Sequence, residues 1–75
     1  MNYKAIGNNI AYQIAKNRWT QRECSEKLRI TEVSMSRYIS GQRIPKATLL
    51  YRMSKVLGCT MEELCSGLEE TNGKM

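Results

Sequence analysis

Apolar residues recur every three to four positions along most of the chain, which is the spacing of one face of an α-helix. Ile6, Ile10 and Ile14 form the first such stripe. A longer stripe in the second half of the chain consists of Leu49, Leu50, Met53, Val56 and Leu57. No window alternates apolar and polar residues with period two over more than a few positions. The pattern therefore predicts an all-α protein.

Threonine residues mark three predicted helix starts. Thr20 is followed by Glu23, and Thr60 by Glu63, at the spacing of a capping box, in which each residue satisfies a backbone N–H of the other. Thr31 has the cap position and apolar flanking residues but no Glu, so it is the weakest match of the three. We therefore expect the second, third and fifth helices to begin directly after these threonines.

The other two helices follow from periodicity and from helix-breaking residues. The first is predicted from about Tyr3 to Asn17, and the fourth lies between Pro45 and a left-handed exit at Gly58. The fifth helix repeats the apolar spacing with Met61, Leu64, Cys65 and Leu68. Together the five segments predict a compact five-helix bundle. Residues 1–68 are expected to form one domain, followed by a polar, frayed tail at residues 69–75.

The composition narrows the range of possible functions. The 75 residues include no His and no Asp, which removes most catalytic and metal-binding constellations. We therefore expect no enzyme activity, no cofactor and no metal. Cys24, Cys59 and Cys65 lack C-x-x-C spacing and fall at apolar helical positions, which favours buried free thiols over a disulfide or a zinc site.

The chain shows no sign of export or of membrane insertion. No apolar run is long enough to cross a bilayer, and the first residues lack the basic, apolar and small-residue regions of a secretory signal. We therefore expect a cytoplasmic protein with no membrane partner.

Positive charge is concentrated in the body of the chain. Residues 1–60 carry eleven Lys or Arg and three Glu, a net charge of +8, whereas residues 61–75 carry one Lys and four Glu, a net charge of −3. A basic body is typical of proteins that bind polyanions, although a basic surface also serves solubility alone.

The predicted third helix has two different faces. Met35, Tyr38 and Ile39 are spaced so that they face the core. The opposite side carries short or polar side chains, one aliphatic residue and one cation, namely Glu32, Val33, Ser36, Arg37 and Ser40. Modest side chains allow a helix to approach base edges in the major groove of DNA. This face favours a DNA-reading role, with a simply solvated face as the alternative.

A longer string of residues resembles a known DNA-binding motif. It comprises Thr20–Ser25, Leu28, Ile30–Thr31, Met35–Gly41, Arg43 and Pro45, with supporting matches at Ile6–Ile10, Leu57–Thr60 and Glu63–Leu64. The string, over roughly residues 3–66, resembles the Cro and cI-type helix-turn-helix family, also called the xenobiotic response element or phage repressor-like family. The resemblance implies a lambda repressor-like fold in which the second and third helices form the helix-turn-helix. It also implies a sequence-specific double-stranded DNA-binding transcriptional regulator, expected to be a repressor.

The resemblance assigns roles to individual residues. Base contacts fall to the third helix, at Glu32, Val33, Ser36 and Arg37. Phosphate contacts fall to Gln21, Thr31, Arg43 and Lys46.

Two of the departures from the usual family pattern lie in the second helix and in the turn after it. Arg29 stands where the turn commonly has Gly, so its backbone must adopt or avoid a left-handed conformation, at a cost of about 1 kcal/mol. Ser25 stands where the second helix commonly has Ala, and its hydroxyl is expected to bond to a carbonyl one turn earlier.

Partners other than DNA are also considered. Specific relatives bind paired half-sites as dimers, so we expect a homodimer at least on the operator. Leu64 is expected to pack against Cys59, which leaves Met61, Cys65 and Leu68 as either core residues or the dimer seam. An interaction module that binds a protein such as a cognate toxin is the alternative function. An RNA-binding role is weaker, because no basic sheet with stacking aromatics is predicted.

Overall fold

The computed structural model describes residues 1–69 of the protein. That part contains five helices and no strand: α1 (Tyr3–Lys16), α2 (Gln21–Leu28), α3 (Glu32–Ser40), α4 (Ala47–Leu57) and α5 (Met61–Cys65). The predicted all-α, five-helix architecture is confirmed. The predicted tail lies almost entirely outside the described residues.

The three threonines cap the helices that they are predicted to start. The Thr20 hydroxyl accepts a hydrogen bond from the backbone N–H of Glu23, while the Thr20 N–H donates to Glu23 Oε1 at 2.7 Å. The same reciprocal pair joins Thr60 and Glu63 at the start of α5. Thr31 caps α3 through its hydroxyl alone. The starts of α2, α3 and α5 are therefore set by local chemistry that is legible in the sequence.

The core lies where the apolar stripes of the helices meet. Its fully buried side chains come from every helix, namely Ile10, Cys24, Leu28, Met35, Met53 and Leu64. The buried position of Leu64 shows that it belongs to the main core, beyond the local contact with Cys59 that the sequence predicts. Met61, Cys65 and Leu68 are half-buried and pack against this core.

The fifth helix is shorter than its apolar pattern predicts. It ends at Cys65, because Ser66 adopts an extended backbone and Gly67 takes a left-handed one with φ of 86°. Leu68 therefore lies in the turn after α5 and not on the helix. Its carbonyl accepts a hydrogen bond from the N–H of Asn2, which ties this turn to the start of the chain.

Side chains from neighbouring helices bond to the carbonyl ends of four helices. Asn9 of α1 donates to the carbonyls of Leu64 and Ser66, and Asn17 donates to the last carbonyl of α4. Lys4 donates to the C-terminal turn of α3, and Arg52 of α4 donates to the last carbonyl of α2. Since terminal carbonyls have no partner within their own helix, these bonds fix how the helices sit against one another.

The first and third helices approach each other very closely. A Cβ atom at Gly7 of α1 would lie 2.0 Å from the carbonyl oxygen of Ile39 in α3, so only glycine fits at this contact. Burial of Met35 in the core turns the opposite face of α3 outward. This packing leaves the outer face of the third helix exposed.

The cysteines are free thiols, and their burial is uneven. Cys24 is fully buried, whereas Cys59 and Cys65 are half-buried. Burial raises the pKa of the Cys24 thiol, and it raises that of Cys59 with a further contribution from the nearby Glu63 carboxylate. The thiolate forms that react are therefore disfavoured.

Membrane-spanning helices and metal-binding clusters are both absent from residues 1–69. None of the helices within residues 1–69 has the length and hydrophobicity needed to cross a membrane. The same residues contain no group of three or more His, Cys, Asp or Glu side chains that could hold a metal ion.

Candidate nucleic-acid interface

One face of α3 is fully open to solvent. Glu32, Val33, Ser36 and Arg37 are all exposed, and Val33 leaves 60% of its surface open. Val33 is the one aliphatic side chain among these four exposed residues. The structure thus brings the four residues predicted to read bases together on one accessible surface, which we call the reading face.

The helix-turn-helix connection is closed by backbone hydrogen bonds. The N–H of Arg29 donates to the carbonyl of Glu26 at 3.1 Å, and the N–H of Ile30 donates to that of Ser25 at 3.0 Å. Arg29 adopts the left-handed conformation, with φ of 58°, so the turn keeps the geometry that glycine usually supplies. The Ser25 hydroxyl donates to the carbonyl of Arg22 at 2.7 Å, as the sequence predicts.

Gln21 is the first residue of α2 and is half-buried. Within residues 1–69 the backbone N–H groups of Gln21 and Arg22 have no acceptor, because the Thr20 hydroxyl and carbonyl serve Glu23 and Cys24. Free N–H groups and the helix dipole make such an end suitable for a phosphate oxygen. The predicted phosphate role of Gln21 is therefore compatible with its position.

Thr31 is exposed, but its hydroxyl is already engaged. The oxygen accepts from the backbone N–H of Ser34 and the proton is donated to Ser34 Oγ, both at 3.0 Å. In this conformation the hydroxyl serves the cap of α3. Any phosphate contact by Thr31 must therefore compete with the cap.

The loop after α3 is anchored to the reading face. The carbonyl of Arg37 accepts hydrogen bonds from the N–H groups of Gln42 and Arg43, at 3.0 and 3.3 Å. The Arg43 guanidinium lies 5.8 Å from the centre of the Tyr38 ring, within the range of a cation–π contact. This contact could not be predicted from the sequence, because it depends on how the loop folds back over the helix. As a result, Arg43 is held beside Arg37.

The cations around the reading face are not neutralised by carboxylates of the described chain. Within residues 1–69 the only salt bridge joins Arg22 and Glu26, at 3.5 Å on the outside of α2. Arg37, Arg43 and Lys46 are exposed and make no such pair. Lys46 caps α4 by its backbone alone, so its side chain is not used for capping. The surface around α3 therefore retains its positive charge.

The predicted dimer seam lies on other elements. Met61, Cys65 and Leu68 belong to α5 and the turn after it, which pack against α1 and α4. The helix that carries the reading face, α3, is called the reading helix and packs against α1 and α2. The seam residues therefore lie on α5 and the turn after it, and the reading face lies on α3, and both helices pack against α1.

Comparison with known proteins agrees with this geometry. A family model described as helix-turn-helix matches residues 10–64. The chain is 34% identical over 65 residues to the HTH-type transcriptional regulator DicA of Escherichia coli (strain K12). The match covers 87% of this chain and 48% of that protein, so the chain spans about half the length of this relative. No solved structure matches the chain.

Proposed function

Since the chain belongs to the Cro/cI-type helix-turn-helix family of DNA-binding transcription regulators, we propose that it is a sequence-specific repressor that inserts α3 into the major groove. The observation that carries this proposal is the reading face, a solvent-open row with one aliphatic, one cation, one carboxylate and one hydroxyl side chain. Binding to genomic DNA would place the protein in the cytoplasm.

Each residue of the reading face has a base edge that suits its chemistry. The Arg37 guanidinium can donate two hydrogen bonds to O6 and N7 of guanine. Val33 can pack against a thymine methyl, and the Glu32 carboxylate can accept from the N4 amino group of cytosine. Ser36 can donate to or accept from any base, so we assign it a supporting role.

Phosphate contacts would surround the reading face. Gln21 supports one at the start of α2, where the N–H groups are free. Arg43 and Lys46 support another along the loop before α4, since both are exposed and unpaired within residues 1–69. Thr31 would add a further contact if its hydroxyl turns away from Ser34. Such contacts fix the register of a protein on DNA without reading sequence.

A salt titration tests the phosphate contacts. The affinity of the protein for a labelled duplex, measured by fluorescence anisotropy, should fall steeply with salt, with a slope of about −0.9 per phosphate neutralised. Arg43→Ala should weaken binding to all duplexes alike and make the slope shallower by about one unit. An affinity for duplex DNA that does not change with salt, or no binding at low salt, would contradict the proposal.

We also propose that two copies bind together on the operator, with Met61, Cys65 and Leu68 at the seam. The support is their partial exposure, since each packs on the core yet keeps apolar surface open. The reading helices of a dimer should sit one duplex turn apart, roughly 34 Å, on an inverted repeat. Sedimentation of the complex should show two chains per duplex, and Met61→Glu should reduce this to one. One wild-type chain per full site would exclude the dimer and leave DNA binding intact.

A further inference from the structure

We propose that Arg29, in the turn between α2 and α3, is an additional contact to the DNA phosphate backbone. The proposal rests on the proposed function, because it assumes that α3 enters the groove. It adds to the interface a residue that precedes α3 in the chain, whereas the Arg43 loop follows α3. The observations that support it are the backbone conformation of Arg29, its exposure and the absence of a structural task for its side chain.

The backbone conformation of Arg29 is unfavourable for an arginine. With φ of 58°, it occupies the left-handed region, which any residue with a Cβ atom adopts at a cost and which glycine adopts freely. The protein uses glycine at the corresponding ends of α3 and α4, at Gly41 and Gly58, and a second left-handed arginine, Arg18, in the turn after α1. An arginine at the end of α2 therefore lowers stability relative to glycine, unless its side chain contributes something else.

The side chain of Arg29 has no structural task in the turn. The connection is closed by the backbone N–H groups of Arg29 and Ile30, which any residue but proline would supply. The last carbonyl of α2, that of Leu28, receives a hydrogen bond from the guanidinium of Arg52. Within residues 1–69 the exposed Arg29 guanidinium has no hydrogen-bond acceptor and no carboxylate partner. The turn would therefore close equally well around glycine.

The position of Arg29 brings its charge close to the proposed interface. It lies three residues before Glu32, the first residue of the reading helix. When the start of a helix enters the major groove, phosphates line both edges of that groove. A long, unpaired cation at the entry to α3 is thus placed to meet one of them. A phosphate contact would give the Arg29 side chain a role that offsets the cost of its left-handed backbone.

Three substitutions separate charge from backbone strain. Arg29→Lys keeps the charge and the strain, Arg29→Gln removes the charge and keeps the strain, and Arg29→Gly removes both. DNA affinity should follow the charge, so the lysine variant binds nearly as well as wild type. The glutamine and glycine variants should both bind roughly tenfold more weakly at low salt, with a salt slope shallower by about 0.9.

Thermal stability should follow the backbone. Arg29→Gly should raise Tm by about 4–8 °C, whereas the lysine and glutamine variants should melt close to wild type. The glycine variant is thus expected to be more stable and yet to bind DNA more weakly. A residue with a purely structural role cannot change these two measurements in opposite directions. Lys55→Gln, which removes an exposed cation from the far end of α4, serves as the charge control and should leave the salt slope unchanged.

The failure of this inference can be told apart from that of the proposed function. If wild type binds duplex DNA and Arg29→Gln binds with the same affinity and salt slope, the phosphate role of Arg29 is wrong and the reading face stands. If Lys55→Gln lowers the slope as much as Arg29→Gln does, the effect reflects net charge and the inference is also overturned. If wild type does not bind duplex DNA under any salt condition, the proposed function itself fails.

Discussion

At the scale of single residues, Arg52 makes a contact outside the reading face that links α4 to the end of α2. Its guanidinium, on α4, donates to the carbonyl of Leu28 at the end of α2, next to the turn that leads into the reading helix. A partly buried carbonyl left without a donor would lose this charge-assisted bond and keep its desolvation cost. Arg52 therefore supports the turn geometry that carries α3.

Replacing Arg52 should destabilise the fold. Arg52→Met keeps most of the aliphatic length and removes the donor, and we expect the free energy of unfolding to fall by about 1–3 kcal/mol in urea titrations. Lys55→Met, at an exposed position on the same helix where the side chain contacts the Tyr51 ring, should change it by less than about 1 kcal/mol. Equal stability of the two variants would show that the bond to Leu28 contributes nothing.

Contacts of this kind could not be predicted from the sequence. Arg52 and Leu28 are separated by 24 residues, and their pairing depends on how α4 crosses α2. The same holds for Arg43 over Tyr38, which depends on the path of the loop. In contrast, the bond from Ser25 to Arg22 was predicted because it spans a single helical turn. Predictability at this scale follows the locality of the contact.

At the scale of elements, the contact between α1 and α3 positions the reading helix. Gly7→Ala would place a methyl group against the Ile39 carbonyl, where a Cβ atom has only 2.0 Å, so the two helices must separate. We expect the free energy of unfolding to fall by about 1–3 kcal/mol or more, because overpacking at a backbone contact cannot be relieved by a rotamer change. Asn8→Ala, at the next and exposed position, should cost little.

The Gly7 variant also makes a functional prediction. The substitution displaces α3, the helix that carries the reading face. Gly7→Ala should therefore weaken DNA binding by more than the loss of folded protein alone would explain. Circular dichroism gives the folded fraction, and anisotropy gives the affinity. Wild-type stability of Gly7→Ala would show that α1 and α3 are not in close contact.

The two capping boxes make stability depend on pH. The backbone N–H of Thr20, and secondarily its hydroxyl, holds the pKa of Glu23 below its ordinary value of 4.5, and Thr60 does the same for Glu63. Between the lowered pKa values of the folded protein and the ordinary value of 4.5, the unfolded state therefore binds more protons than the folded state. The stabilisation is complete above pH 4.5 and is lost as the pH falls through the lowered pKa values of the folded protein.

A double variant isolates this pH dependence. Glu23→Gln combined with Glu63→Gln keeps acceptor oxygens at both caps but cannot titrate there. Its Tm should fall less than that of wild type as the pH is lowered from above 4.5, whereas Glu62→Gln, outside the boxes, should follow wild type. If Tm falls with pH by the same amount in wild type and in the double variant, the capping boxes do not cause the pH dependence.

Helix starts were predicted more reliably than helix ends. The threonine caps are local and their partners lie three residues away, so the starts of α2, α3 and α5 follow from the sequence. The apolar spacing continues to Leu68 and so predicts a later end for α5 than Cys65, where the helix ends in the structure. Burial of Leu68 against the core does not require a helix, and Gly67 was the signal that the chain turns away.

At the scale of the whole molecule, the core and the reading face differ in how well the sequence predicts them. Core positions were predictable because apolar periodicity shows which side of each helix is buried. The residues of the reading face could be identified as the remaining exposed row of α3. Which of them touch bases could not follow from periodicity, because solvent and DNA both accept polar side chains. Their assignment relies on the family resemblance and is tested only by binding.

In vitro selection tests the central claim that α3 reads base sequence most directly. Duplexes bound by wild type and by Arg37→Ala would be recovered from the same random library and sequenced. The wild-type pool should be enriched in one short motif containing a guanine, and the Arg37→Ala pool should keep that motif while losing the preference at that base pair, a loss of about 1–3 kcal/mol. Pools without any motif, or identical motifs for both proteins, would contradict the role of α3 as the reading helix.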